Sequence, residues 1–150
     1  DYDLIKDVFL RLGVTLLFDG VYMKPGMHVV AGVKAGKPFL GLSGNPVAAS
    51  ISFEMLARPM LLKMSGRTQW RRPQIRAILT VPLAKRDKLW RVVWSRCRRE
   101  DDRLLVEPLN LTNQTTLTAA INANALAIIP EDSSSLPAGT ELEVLMLADI

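Results

Sequence analysis

The chain has 150 residues, is 49% hydrophobic, and carries 19 Lys and Arg against 15 Asp and Glu, for a net charge of +4. That balance suits one globular domain or two small ones and excludes disorder as the main state. A single Cys forbids an intrachain disulfide, no secretory pattern opens the sequence, and the longest apolar runs, such as Val14 to Phe18 and Ala125 to Ile129, fall far short of the ~20 residues of a membrane-crossing helix. The expected setting is soluble, reducing and cytoplasmic, with no membrane partner.

Leu4, Ile5, Val8, Phe9 and Leu12 recur at helical spacing and Gly13 follows them, which predicts a helix over Asp3–Leu12 with Gly13 just past its end. Val14–Phe18 then reads as a buried strand. Val29–Val33 and Phe39–Leu42 are further strand candidates, separated by the turn-forming sequences Lys24-Pro25-Gly26 and Lys34-Ala35-Gly36-Lys37-Pro38. After Ser43-Gly44 comes Asn45, a good helix cap, with Pro46 at the first helical position and an apolar segment running to Met64. Pro59 falls inside that helix and should kink or divide it.

Composition shifts near Gly66. Residues 67–103 hold twelve of the basic residues and four acids, whereas the chain after Arg103 has six acids and neither Lys nor Arg. Two such blocks could attract each other across a fold or face different partners. The periodicity also changes to two, in Ile75–Val81, Trp90–Ser95 and Glu141–Met146, with a turn at Pro137-Ala138-Gly139-Thr140. Residues 1–66 therefore read as part of an α/β domain and 67–150 as a small β-rich one. So few strands at the start would leave a sheet edge or face uncovered, so Asp1 is not expected to be the native start.

The sequence Gly41-Leu42-Ser43-Gly44-Asn45-Pro46, between a strand and a helix, offers close backbone approach and helix N–H groups to an anion, although an ordinary capped turn has the same pattern. Lys24 could hold an anionic substrate as a point charge, or be a solvated turn residue. Asp1, Asp3 and Asp7 suit the start of the first helix, and Asp3 could also serve as a general base or Mg²⁺ ligand. Trp70, Trp90 and Trp94 amid the arginines invite a nucleic-acid reading, but alternation puts Trp90, Val92 and Trp94 on one face, expected to be the core, so no nucleic-acid partner is expected. His28 lacks companions for a metal site, and Cys97, flanked by arginines that would lower its pKa if exposed, lacks a catalytic motif.

The run Asp1-Tyr2-Asp3-Leu4-Ile5-Lys6, then Met23-Lys24-Pro25-Gly26, Gly41-Leu42-Ser43-Gly44-Asn45-Pro46-Val47, Phe53-Glu54 and Arg58-Pro59 resembles the molybdopterin molybdotransferase family. The later Asn122-Ala123-Asn124-Ala125-Leu126 and Pro137-Ala138-Gly139-Thr140 are similar to its C-terminal domain. The resemblance implies the C-terminal part of a three-layer α/β molybdopterin-binding domain over 1–66, followed by a small β-barrel-like domain over 67–150. It implies insertion of molybdate into adenylylated molybdopterin with release of AMP, assisted by Mg²⁺, in a homodimer. By position it implies that Asp3 is catalytic and holds the metal, and that Lys24 lies near molybdate and the dithiolene. It further implies that Pro25, Gly26, Ser43, Gly44, Asn45 and Pro46 contact the substrate, with Arg91, Thr115 and Thr116 presented toward the oxyanion. Where the family has a second Lys and a Pro, this chain has Met27 and His28, which makes a non-catalytic pterin- or partner-binding scaffold the alternative. Upstream family segments have no counterpart here, so the isolated chain is expected to be inactive.

Overall fold

The computed structural model describes residues 4–85, 87–109 and 117–148. The chain divides into two compact units, Asp1–Thr68 and Gln69–Ile150.

In the first unit, helix α1 (Leu4–Arg11) precedes β1 (Thr15–Asp19), β2 (Met23–Lys24), β3 (Val30–Lys34) and β4 (Lys37–Gly41). The helix ends as Gly13 predicts. Gly13 has φ +71°, its N–H donates to Leu10 O at 3.0 Å, and the N–H of Val14 donates to Phe9 O at 2.9 Å. This pair of bonds satisfies the last carbonyls and brings Val14 back onto Phe9. Phe9, Val14 and Val30 form a small core with Ile5, Leu16 and Phe39 packed against it, the rings of Phe9 and Phe39 meeting edge-on at 5.7 Å. Lys34 Nζ donates to Leu12 O at 2.6 Å, placing a cation at the negative end of the helix.

The sheet of this unit corrects one expectation. The order is β1-β3-β4 and both pairings are antiparallel, so the three-layer α/β arrangement is not in this chain. The physical reason is connection length. β3 and β4 are joined by a two-residue turn at Ala35 and Gly36, both with positive φ, whereas parallel neighbours need a crossover of a dozen residues or more. Nor is β1 the buried strand its apolar run suggests. Its register slips between Leu16 and Phe18, and the bulged Leu17 is 66% exposed.

The segment after Asn45 forms α2 (Pro46–Ser52), a π turn over Phe53–Ala57, and α3 (Arg58–Met64). The N–H of Arg58 reaches back five residues to Phe53 O. That wide turn keeps the ring of Pro59 off the carbonyl of Met55, with which a regular α-helix would make it clash, so the segment runs on instead of dividing.

The second unit is a closed five-stranded barrel. Its strands are β5 (Gln74–Leu79), β7 (Trp90–Glu100), β8 (Arg103–Pro108), β9 (Ala125–Ile129) and β11 (Glu141–Met146), in the order β7-β8-β5-β11-β9 and back to β7. Only β5 and β8 run parallel. Two short strands, β6 (Leu83–Ala84) and β10 (Ser135–Leu136), pair separately, and α4 (Leu117–Asn122) precedes β9. β7 serves two neighbours. Residues 91–95 pair with β9 and residues 95–100 with β8, so Ser95 faces both Ala125 and Pro108 and is fully buried.

Leu79, Val106, Ile129 and Val144 are essentially inaccessible at the centre of the barrel, each contributing about 1.5–3 kcal/mol by burial. From β7 the barrel cluster takes Cys97 and Val93; of the face expected to be core, Val92 and Trp94 are buried and Trp90 is exposed. The charged blocks meet within the unit. Arg76 pairs with Glu141 at 3.1 Å, Gln74 donates to Glu143 at 2.7 Å, and Arg98 lies 3.6 Å from both Glu100 and Glu107. No described helix is long and apolar enough to cross a membrane.

Candidate functional site

The two turns singled out by the sequence are fixed to one helix. Lys24 ends β2 and is exposed, the Lys24-Pro25 bond is cis, and Gly26 follows with φ +100°. A Cβ on Gly26 would collide with Ser52 Oγ and approach Met23 Cε to 3.1 Å and Ala48 O to 3.4 Å. Ser52, wholly buried, donates its hydroxyl to Gly26 O at 3.4 Å. Glycine is therefore required at 26 both by conformation and by the closeness of α2.

The start of the same helix is set by the other turn. Gly41 admits α1, since a Cβ there would collide with Ile5. Ser43 Oγ accepts the N–H of Asn45 at 3.2 Å, and Asn45 Oδ1 accepts the N–H groups of Val47 at 3.0 Å and Ala48 at 3.2 Å. Pro46 has no N–H, and that of Ala49 goes to Asn45 O at 2.8 Å. The helix donors suggested for an anion are thus taken by the cap. What the turn presents outward is side-chain chemistry: with Oδ1 against the helix, the Asn45 amide turns its Nδ2 away, beside the exposed, sterically open Gly44.

Of the remaining candidates, Arg91 stands near the start of β7 and its Nη2 donates to Asp87 at 2.8 Å. Asp3, Thr115 and Thr116 lie outside the described residues. Met27 and His28 are both exposed, and Lys34 is committed to Leu12 O, which keeps it from standing in for a cation at position 27. Among the described residues no group of three or more His, Cys, Asp or Glu is arranged to hold a metal.

Two residues that the chemistry of the sequence did not single out organise the barrel. Asn124 accepts the N–H of Cys97 at 2.7 Å and donates to its carbonyl at 2.8 Å, so a side-chain amide completes the ladder of β7. Lys85, 4% exposed, donates to Pro130 O and Glu131 O, both at 2.6 Å. The Asn122-to-Leu126 run was the available signal for the first; nothing in the alternation signals the second. Cys97 is buried, and desolvation raises its thiol pKa instead of the arginines lowering it.

Residues 76–147 match the family described as the MoeA C-terminal region (domain IV). The barrel matches MoeA domain IV. Likeness to MoeA proteins extends beyond that domain. A crystal structure of the molybdopterin biosynthesis MoeA protein from Pyrococcus horikosii superposes with a TM-score of 0.80 at 28% identity, covering 99% of this chain and 36% of that one. The protein named molybdopterin molybdenumtransferase in Bacillus subtilis (strain 168) is 26% identical over 149 residues, 99% of this chain and 35% of the relative. Its namesake in Staphylococcus aureus (strain Mu50) is 25% identical over 146 residues, again 35% of its length. The family resemblance carried by the motifs is borne out, and the chain spans about a third of the curated relatives it matches.

Proposed function

We propose that this chain supplies the C-terminal part of a molybdopterin molybdenumtransferase and acts in molybdenum cofactor biosynthesis. In this reading molybdate is inserted into the dithiolene of adenylylated molybdopterin, the adenylate is hydrolysed, and AMP leaves. The single observation that carries it is likeness over 99% of the chain to a MoeA structure, which takes in the Lys24 and Ser43–Pro46 turns on α2 as well as the barrel.

Both substrates are anions. Lys24 is assigned to attract molybdate and the charge on the pterin substrate, with its backbone orientation set by Pro25 and Gly26. Ser43, Gly44, Asn45 and Pro46 form the opposing contact, where Asn45 Nδ2 donates and Gly44 lets the substrate approach the chain closely. Arg91, Thr115 and Thr116 are assigned to the oxyanion. Asp3, the metal ligand that the family resemblance implies, lies outside the described residues, and Lys24 and Arg91 are the positive side chains assigned here to the substrate. The family resemblance supports a homodimer as the working form and Asp3 as an acidic catalytic residue.

The test is AMP release from adenylylated molybdopterin by the intact parent protein, with and without molybdate. Molybdate-dependent release is expected, falling at least about tenfold in Lys24→Ala, the scale of one lost charge-assisted contact. The isolated 150-residue chain is expected to release none. Met27 in place of a second Lys, with Lys34 held at Leu12 O, favours one other reading, a pterin-binding scaffold without turnover. Pterin binding by a folded parent that releases no AMP would select it.

A further inference from the structure

The strands β6 and β10 pair over only two positions, Ala84 with Ser135 and Leu83 with Leu136, and stand apart from the ladder that closes the barrel. Strands so short are not stable alone. Leu83 is buried and Leu136 half-buried against the barrel core, so together they cover part of it. Directly after β6, Lys85 donates its backbone N–H to Ser134 O at 3.0 Å and sends its side chain to the corner after β9, where the ammonium is held by the carbonyls of Pro130 and Glu131. Its acceptors are two neutral carbonyls that both belong to one short connection, and the cation lies almost entirely out of water. Releasing that one group would free both strands of the pair, because it ties the approach to β10 to the exit from β6.

We propose that Lys85 is a latch, and that β6 and β10 form a clasp which opens as a unit while the five-stranded barrel stays closed. Each barrel strand has at least one ladder of four or more paired positions, which also supports the two-position pairing of β5 with β8, whereas the clasp has two paired positions, one flanking backbone bond and the ammonium. Its opening therefore belongs to the low-stability end of the molecule, and it uncovers Leu83 and Leu136 with the core surface beneath them.

Hydrogen exchange in the intact protein carrying Lys85→Met, followed segment by segment beside the parent, tests this. Residues 83–85 and 134–136 are expected to exchange roughly 10- to 100-fold faster, as loss of two charge-assisted bonds implies, while β9 and β11 keep parental rates. Equal acceleration of β9 and β11, or none in the clasp, would overturn the proposal. Should Lys85→Met fail to fold, the parent in mild denaturant decides. There the Lys85 amide must exchange through a smaller opening than those of Ala127 and Val144, and one shared denaturant dependence sinks the latch.

Discussion

Asn124 and Cys97 show how much of the barrel rests on single side chains. The Asn124 amide satisfies both backbone groups of Cys97, a residue 2% exposed. Asn124→Ala leaves a donor and an acceptor unpaired inside the protein and is expected to cost about 3 kcal/mol in urea unfolding. Asn124→Asp should cost more, because a carboxylate would face the Cys97 carbonyl. The buried thiol adds a pH dependence. Burial raises its pKa in the folded state, whereas in the unfolded chain it ionises from its ordinary value of 9.0. Above that value the unfolded chain binds fewer protons than the folded one, so this contribution is fully present below pH 9 and is lost as pH rises toward the raised value. The unfolding free energy of the parent should therefore fall more steeply above pH 9 than that of Cys97→Ala. Parallel curves would contradict it.

Elements were legible in the sequence where local chemistry decides them. Gly13 marks the end of α1 through its backbone bonds, and Asn45 with Pro46 marks the start of α2 through the cap. Direction and facing were not legible in the same way. In Trp90–Cys97 both faces carry apolar residues: the barrel cluster takes Val93 and Cys97, while on the other face Val92 and Trp94 are buried as well and Trp90 is exposed. Alternation alone cannot make that choice. The antiparallel sheet of the first unit was hidden for a related reason, since a short apolar run does not state its partner, although the two-residue turn at Ala35 and Gly36 excluded parallel pairing. The Lys24–Gly26 turn makes the element-level test. Gly26→Ala combines a left-handed backbone with a clash against Ser52 and is expected to cost about 2–4 kcal/mol in thermal or urea unfolding, lowering AMP release with it. Gly44→Ala meets nothing in the protein, so unchanged stability with weaker pterin binding is expected there, separating contact with substrate from support of the fold.

For the whole molecule, charge is distributed to be used internally. The basic block that invited a nucleic-acid reading is interleaved with Glu141, Glu143 and Glu107 across neighbouring strands, while Arg72 donates to Leu147 O and Arg71 stacks on Trp70. Exposed pairs of this kind add little stability. They do leave less unopposed positive charge than the sequence alone suggests. The candidate site was legible as two turns on either side of the first unit's hairpin, but their attachment to one helix was not, because it depends on Ser52 meeting a glycine 26 positions earlier. The order of strands carries one more consequence. β11 sits between β5 and β9, and it is made after both. A ribosome that has delivered residues 74–129 holds a sheet with two raw edges, and only the emergence of residues 141–146 joins them into a ring. Until then the nascent barrel is an open strip, exposed to strand pairing with its neighbours on the polysome, and a stop codon anywhere before Glu141 would leave it so.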